Sequence, residues 1–405
     1  MVCQSVAVPS FQPFGGARYA ASQAPLDSLI APPYDVVGPE ERDELARRHR
    51  LNAILLELPQ PDPASGRDQY QVAAHLLSSW LERQAVVVDP RPAFYPYRMT
   101  APDGTVTTGI IGALGVGDDV LPHEETMPKP RSDRLDLLRA TGANLSPIWG
   151  LSLTKGLTAA FEPNGPPASR AVDDEHVVHE LWVVDDPEAV ARVSAAVASS
   201  PVVVADGHHR YETARNYRAE VRAANGDRPG DHDSVMAFVV ELSEEQLHVR
   251  AIHRLLDGLP DGVDLREVLG RYFDAVHAGP AEGRVVEALE AAGSLALVDE
   301  HDAWLLTVRP GAFDEAGTDL VAGLVDLALR EVDGLSLSYT TRIDEMLGAL
   351  GTRHAQAAIL LQPVTVAQIS EWASARRRMP PKTTYFVPKP RTGMVFRLLA
   401  APAPA

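Results

Sequence analysis

The chain has 405 residues, with 37 Lys+Arg against 55 Asp+Glu and a formal net charge of −18 at pH 7. That acidic balance argues against a general nucleic-acid binder, because phosphate backbones are held by surplus basic charge. With 45% hydrophobic and 23% charged residues, the chain is expected to fold around one large core or two to three smaller ones rather than to be disordered.

The lone cysteine, Cys3, excludes an intramolecular disulfide framework and any Cys-rich zinc module, and it fits a reducing compartment, so the cytoplasm is the expected location. The first residues hold no basic segment followed by a long apolar stretch. Apolar runs elsewhere are strand-sized, short of the roughly 18–20 residues that a membrane helix needs, so a soluble protein without a membrane partner is expected.

In chain order, APPYDVVGPEER (31–42) reads as a proline-stiffened turn with Tyr34 and Asp35, ahead of a helix over 39–49 whose first turn is matched by Glu40 and Glu41. A helix at 68–83 and strands at 85–88, 93–99 and 109–116 follow. LPHEETMPKPRSDR (121–134) is a loop because of its prolines, and Ser132 or Asp133 caps the next helix, 133–141. Strands at 148–153 and 177–184, a helix at 186–199, a strand at 202–205, a helix at 211–224 and a strand at 235–241 continue the alternation. Beyond them come helices at 264–272 and 282–292, strands at 295–298 and 304–308, helices at 320–332 and 341–350, a strand at 357–361, a helix at 365–377, and strands at 383–387 and 394–398. Strands interspersed with helices predict an α/β or α+β chain rather than a bundle or a sandwich. DGLPDGVD (257–264) marks a boundary that gives regions 1–260 and 261–405.

Three segments carry chemistry. In PVVVADGHHRYETA (201–214) a β-branched run ends in Asp206-Gly207 and a helical pattern begins, which is how a chain aims backbone N–H groups at an anion. Gly207 allows close backbone approach, Arg210 can clamp a phosphate, and Asp206 is placed to hold Mg²⁺ or to orient a histidine, with His208 and His209 on the turn. An Asp-Gly turn that merely caps a helix is the plain alternative. The 121–134 loop offers His123, Glu124, Glu125, Thr126, Lys129, Arg131, Asp133 and Arg134; His-Glu-Glu-Thr lacks the second histidine of a zincin, leaving carboxylates for Mg²⁺ or general-base work beside cations for phosphate. The stretch 372–405 holds seven basic residues and no acid, and in it Lys382, Thr383, Thr384 and Lys389 form a donor set suited to a polyphosphate or a carboxylate; a basic edge strand is the competing reading. Ile252-His253-Arg254 offers a further cation to a site, but a surface pair at a helix start is the commoner reading. There is no Walker A lysine loop, no GxGxxG after a strand and no GxSxG elbow.

PPYDVV (32–37), HEET with Lys129 and Asp133-Arg134, ADGHHR (205–210) and MPPKTTYFVPK (379–389) together resemble the family known as domain of unknown function 1015, in the same order over nearly the whole chain. The Asp-Gly-His-His-Arg turn and the His-Glu loop are similar, more distantly, to the ParB/sulfiredoxin-like fold, which includes small-molecule kinases acting on free serine. That resemblance implies an α+β, mixed-sheet ParB/sulfiredoxin-like core with a second α/β C-terminal region. It implies that Gly207, His208, His209 and Arg210 sit on nucleotide phosphates, with Glu124 as the acid/base or metal-organising carboxylate and Arg134 as the upstream cation. Sulfiredoxin chemistry is out, since its reactive cysteine is missing from the turn, and ParB-type DNA binding lacks its basic helix-turn-helix.

Those exclusions leave a phosphotransferase or a nucleotide hydrolase; the expectation is an ATP- or ADP-dependent, Mg²⁺-assisted phosphotransferase, for which the resemblance implies a small hydroxyl acceptor such as free serine or a related amino acid. Glu124, His123 and His208 are its candidate catalytic residues. Gly207, His209, Arg210, Lys129, Arg134, Lys382, Thr383 and Lys389 would bind the nucleotide, and Asp206 and Glu125 the metal. A nucleotide-binding regulatory switch and a metal-dependent hydrolase built from His123, Glu124, Asp206 and His208 are the alternatives. The sequence leaves monomer and homodimer both open.

Overall fold

Val106–Gly115 is the axis of a mixed sheet. Across this sheet the strands run Val120–Pro122, Val202–Asp206, Ile148–Ser152, Ser234–Glu241, Val106–Gly115, Tyr95–Thr100, Val178–Leu181 and Ser169–Val172, with Phe11–Gln12 pairing onto the far end of the axial strand. Neighbours are antiparallel except at two places: Val202–Asp206 runs parallel to Val120–Pro122, and Ser234–Glu241 parallel to Ile148–Ser152. The computed structural model behind this description covers residues 9–21, 23–117, 120–122 and 132–400.

The chain divides into two units: Met1–His248 with Ala373–Arg377 and Pro388–Ala405, and Val249–Trp372 with Arg378–Val387. The mixed sheet belongs to the first. Its apolar face packs Ile110, Leu114, Ile148, Val202, Val204 and Val239 against Val193 and Val197 of the helix Pro187–Ala198, each such side chain contributing about 1.5–3 kcal/mol by leaving water. Asp186 caps that helix by accepting from the Ala189 N–H at 2.9 Å. Phe11 and Phe94 stack with ring centroids 5.0 Å apart, directly over Gly112, where a Cβ would stand 2.4 Å from the Phe11 ring.

A second, smaller sheet in the same unit explains why residues far apart in the chain meet. Its order is Val86–Val88, Gly16–Tyr19, Phe396–Leu398, Ala143–Asn144, so the end of the chain is inserted between two early segments. Arg397 fixes that insertion: it is buried and donates to Asn144 Oδ1 at 3.0 Å and to the carbonyls of Ser234 at 2.9 Å and Asp231 at 3.0 Å. Burial lowers its guanidinium to about 10, with Asp231 pulling the other way. Trp80 and Leu77 from the helix Gln69–Glu82 cover this sheet together with Ile54 and Leu56.

The second unit is a six-stranded antiparallel sheet, ordered Phe273–Pro280, Asp302–Val308, Ala296–Asp299, Ala357–Leu360, His253–Asp257, Ser336–Thr340. Both faces are covered. Leu256, Leu297 and Ile359 pack with Leu324 and Val325 of Val321–Leu329 on one side, while Leu255, Val298, Ala358 and Leu360 pack with Met346 of Ile343–Gly351 on the other, as the period of two in a strand requires.

Here the reading of His253-Arg254 as a surface pair at a helix start is corrected. His253–Asp257 is an interior strand, and Arg254 is 0% exposed, paired with Asp326 at 3.2 Å and stacked 5.1 Å from the Tyr339 ring. Two flanking sheet neighbours gave this short segment its strand state, which its own sequence does not. The mixed α+β class is as expected. Among the described residues, no helix is long and apolar enough to cross a membrane.

Candidate functional site

The site grows from the strand Val202–Asp206, whose valines are buried on both faces and whose register shifts between Val204 and Asp206 against Ile148–Ser152. The strand ends at Gly207 with φ +85°, a left-handed conformation that glycine adopts without the Cβ clash. The helix His208–Ala224 starts at once, with Tyr211 and Ala214 in the core and Gly207, which has no side chain to cap it, at its N-cap. The opening N–H groups of any helix lack intrahelical acceptors and carry partial positive charge, so this junction favours negative charge.

Asp206 stands at that junction with one cation on each oxygen. Lys389 Nζ donates to Oδ1 at 2.9 Å and Arg210 Nη2 to Oδ2 at 3.0 Å. Burial alone would push the Asp206 carboxyl up; the charges of Lys389 and Arg210 outweigh it and bring the pKa down to about 2. Arg210 is tied further: Nη1 donates to the Pro147 carbonyl at 2.6 Å and to Ser146 Oγ at 3.1 Å. The Ser146 hydroxyl in turn donates to Glu57 Oε1 at 2.9 Å. Lys389 also lies 3.7 Å from Asp35 Oδ2.

Tyr34 links the two arginines. The Arg134 guanidinium sits 4.5 Å from its ring centroid and that of Arg210 5.9 Å, inside the range where ring and cation attract. Burial raises the Tyr34 phenol above its ordinary value, the nearby arginines opposing that shift in part. Arg134 donates to the Glu57 carbonyl at 2.7 Å and pairs with Asp133 at 2.6 Å. A pocket of about 60 Å³ opens in this cluster; Glu57, Arg134, Ser146 and Arg210 line it together with Leu137, Leu138 and Val235.

A second polar group anchors the segment that carries Lys389. Arg391 donates through Nε to Asp173 Oδ2 at 2.6 Å, and its backbone N–H reaches Tyr97 Oη at 3.2 Å. Tyr97 Oη lies 2.7 Å from His179 Nδ1 and His179 Nε2 2.8 Å from Asp173 Oδ2; burial favours the neutral ring, and with its proton on Nε2 toward the carboxylate, Tyr97 O–H donates to Nδ1. Burial raises Asp173, but its hydrogen bond to His179 and the Arg391 charge more than reverse this and hold it well below the usual carboxylate range. Burial keeps His179 below its ordinary value and Tyr97 above its own.

The structure therefore brings together Asp206, Gly207, Arg210, Lys389 and, through Tyr34, Arg134. His208 opens the helix two residues after Asp206. His209 faces along the helix, with Nδ1 3.9 Å from Glu212. Lys382 and Thr383 belong to the second unit: the Lys382 carbonyl accepts from Arg254 Nη1 at 2.9 Å, and the buried Thr383 hydroxyl donates to the Pro380 carbonyl at 2.6 Å. The strand expected over 383–387 is confined to Tyr385–Val387, after Lys382 turns at φ +59°. His123, Glu124, Glu125, Lys129, Thr126 and Arg131 lie outside the described residues. Glu57 and Ser146 were not singled out from the sequence. The signal for Glu57 was present, a lone acid inside the apolar run 53–58.

Among the described residues, no group of three or more His, Cys, Asp or Glu could hold a metal ion. Asp206 does not offer an Mg²⁺ ion an open oxygen, since each already faces a cation; as arranged, the described residues do not fit the metal.

Fold and site together define a two-unit α+β protein with a charged cluster at a strand–glycine–helix junction. Over residues 11–333 the sequence matches the family described as protein of unknown function DUF1015, and the chain belongs to that family. Similar solved structures include a mutant free serine kinase in complex with AMP, 15% identical with a TM-score of 0.37, covering 67% of this chain and 85% of that chain. A conserved hypothetical protein from Pyrococcus furiosus is 14% identical with a TM-score of 0.36, over 67% and 88%. SbnI with C-terminal truncation from Staphylococcus aureus is 13% identical with a TM-score of 0.37, over 69% and 84%. Among curated proteins, none matches the sequence.

Proposed function

We propose that this protein is a nucleotide-dependent phosphotransferase of ParB/sulfiredoxin-like fold, moving the terminal phosphoryl group of ATP or ADP to a small hydroxyl compound such as free serine or a related amino acid. The observation that carries the reading is the convergence of Arg210 and Lys389 on Asp206 where Gly207 opens the helix His208–Ala224. Phosphoryl transfer asks little covalent chemistry of a protein; it asks for fixed positive charge and orientation. The acceptor oxygen forms a bond to the terminal phosphorus, the bond from phosphorus to the nucleotide's bridging oxygen breaks, and the hydroxyl proton goes to a carboxylate. Glu124 is the acceptor of that proton in this reading, on the strength of the sequence resemblance.

Asp206 then acts as a holder. In the absence of phosphate it keeps the Lys389 ammonium and the Arg210 guanidinium in place, so little rearrangement is needed when a more highly charged anion competes for them.

The test is to incubate the protein with ATP or ADP, with and without a panel of hydroxy amino acids, and to read phosphorylated product by mass. A product that appears only with the acceptor, and that falls at least tenfold with Lys389→Met, supports the reading. Nucleotide binding without product under any acceptor replaces it with a nucleotide-binding regulatory protein, and no nucleotide binding overturns both.

A further inference from the structure

Glu57 is 3% exposed, and its two oxygens have different fates. Oε1 accepts from Ser146, whereas Oε2 has no hydrogen-bond partner among the described residues although it is buried. A buried carboxylate oxygen without a donor is unfavourable, and this one belongs to a residue that lines open space, the pocket of about 60 Å³. The nearby cations among the described residues are committed elsewhere: Lys389 and Arg210 to Asp206, Arg134 to Asp133 and the Glu57 carbonyl. One donor, Arg210 Nε, also lacks a partner among the described residues, but it is shut against Gly207, where even a Cβ would stand 3.0 Å away. The demand left in the pocket is thus for a donor, and a carboxylate oxygen is met most strongly by a donor that itself carries positive charge.

We infer that the pocket receives a primary ammonium group, with Glu57 Oε2 as its carboxylate partner. A volume of about 60 Å³ leaves room for a CH₂–NH₃⁺ head. Leu137, Leu138 and Val235 give the methylene an apolar surface. This inference deepens the phosphotransferase reading, on which it rests for the ligand's role: the acceptor is an amino alcohol or hydroxy amino acid, held by its amine.

Three probes of similar size separate the possibilities in calorimetric titrations of the full chain at pH 7: ethanolamine, ethylene glycol and glycolate. Ethanolamine is expected to bind about tenfold or more tightly than ethylene glycol, with glycolate weakest, because a charge-assisted bond to a buried carboxylate replaces a neutral one. Glu57→Gln is expected to erase the preference. Equal binding of ethanolamine and ethylene glycol, a preference for glycolate, or no binding of ethanolamine overturns the inference, and this comparison needs no variant. ADP is titrated separately. ADP binding without ethanolamine preference removes the ammonium pocket and leaves the phosphotransferase reading; ethanolamine preference lost in Glu57→Gln without nucleotide binding does the reverse.

Discussion

Lys389 places its ammonium 2.9 Å from Asp206 Oδ1, although 183 residues separate the two in the chain. The pair is largely shielded, with side chains 10% and 24% exposed, and Arg210 completes it from the other oxygen. Removing one member of such a group leaves charge uncompensated, which costs more than the group itself gains. Asp206→Asn, which strands two cations, is expected to lower unfolding free energy by about 3 kcal/mol. Lys389→Met should cost less, because the carboxylate keeps Arg210. In urea titrations the double variant should lose clearly less than the sum of the singles; strict additivity would show that the two side chains do not interact.

Acid should weaken the first unit through the same carboxylate. A group whose folded pKa lies below its unfolded value stabilises the fold above the unfolded pKa, and that contribution disappears as pH falls through the folded one. For Asp206, with an ordinary value near 3.8 and a folded value of about 2, the window is roughly pH 4 to 2 and the contribution on the order of 2 kcal/mol. Stability measured across that window should fall more steeply in the wild type than in Asp206→Asn. Parallel curves would remove Asp206 from the acid response.

Gly207→Ala combines two penalties. The backbone at φ +85° costs an L-residue about 1–2 kcal/mol, and the new methyl would meet the Arg210 guanidinium at 3.0–3.1 Å and Ile148 Cγ2 at 3.1 Å. Gly262, at φ +82° with nothing within 4 Å of its would-be Cβ, carries the first penalty alone. Thermal melts should therefore rank Gly207→Ala below Gly262→Ala, and a smaller loss at Gly207 would contradict the crowding.

Tyr97→Phe removes the donor to His179 and the acceptor of the Arg391 N–H in one change, so a loss of about 1–3 kcal/mol is expected. Burial and the Nε2 contact with the Asp173 carboxylate favour a neutral His179 with its proton on Nε2. Nitrogen chemical shifts of the labelled imidazole should report that tautomer unchanged from pH 8 to pH 6. An imidazolium signal in this range would overturn the assignment.

Much of the local structure was legible. The pattern over 68–83 became Gln69–Glu82 with Asp68 and Gln71 forming the capping box, and 186–199 became Pro187–Ala198 behind Asp186, because caps and a 3.6 period act within a few residues. The turn 205–210 was legible for the same reason: a β-branched run, one glycine and a helical pattern lie side by side. Short strands were not. Gly16–Tyr19, Ala143–Asn144 and His253–Asp257 have few residues with which to show a period, and they are strands only because distant partners pair with them.

The sequence by itself determined the longer helices and strands, where the strand–glycine–helix junction falls, and that Arg210 stands on it, since each depends on steric and hydrogen-bonding preferences between near neighbours. Tertiary structure alone decided that Lys389 would meet Asp206, that Tyr34 would lie beside Arg134 and Arg210, and that Glu57 would keep one oxygen unmatched in a pocket. A charge attracts any opposite charge and carries no address. Its partner is chosen by the pairing of Phe396–Leu398 between Gly16–Tyr19 and Ala143–Asn144, and by the Arg391–Asp173 anchor, which fix where the end of the chain runs.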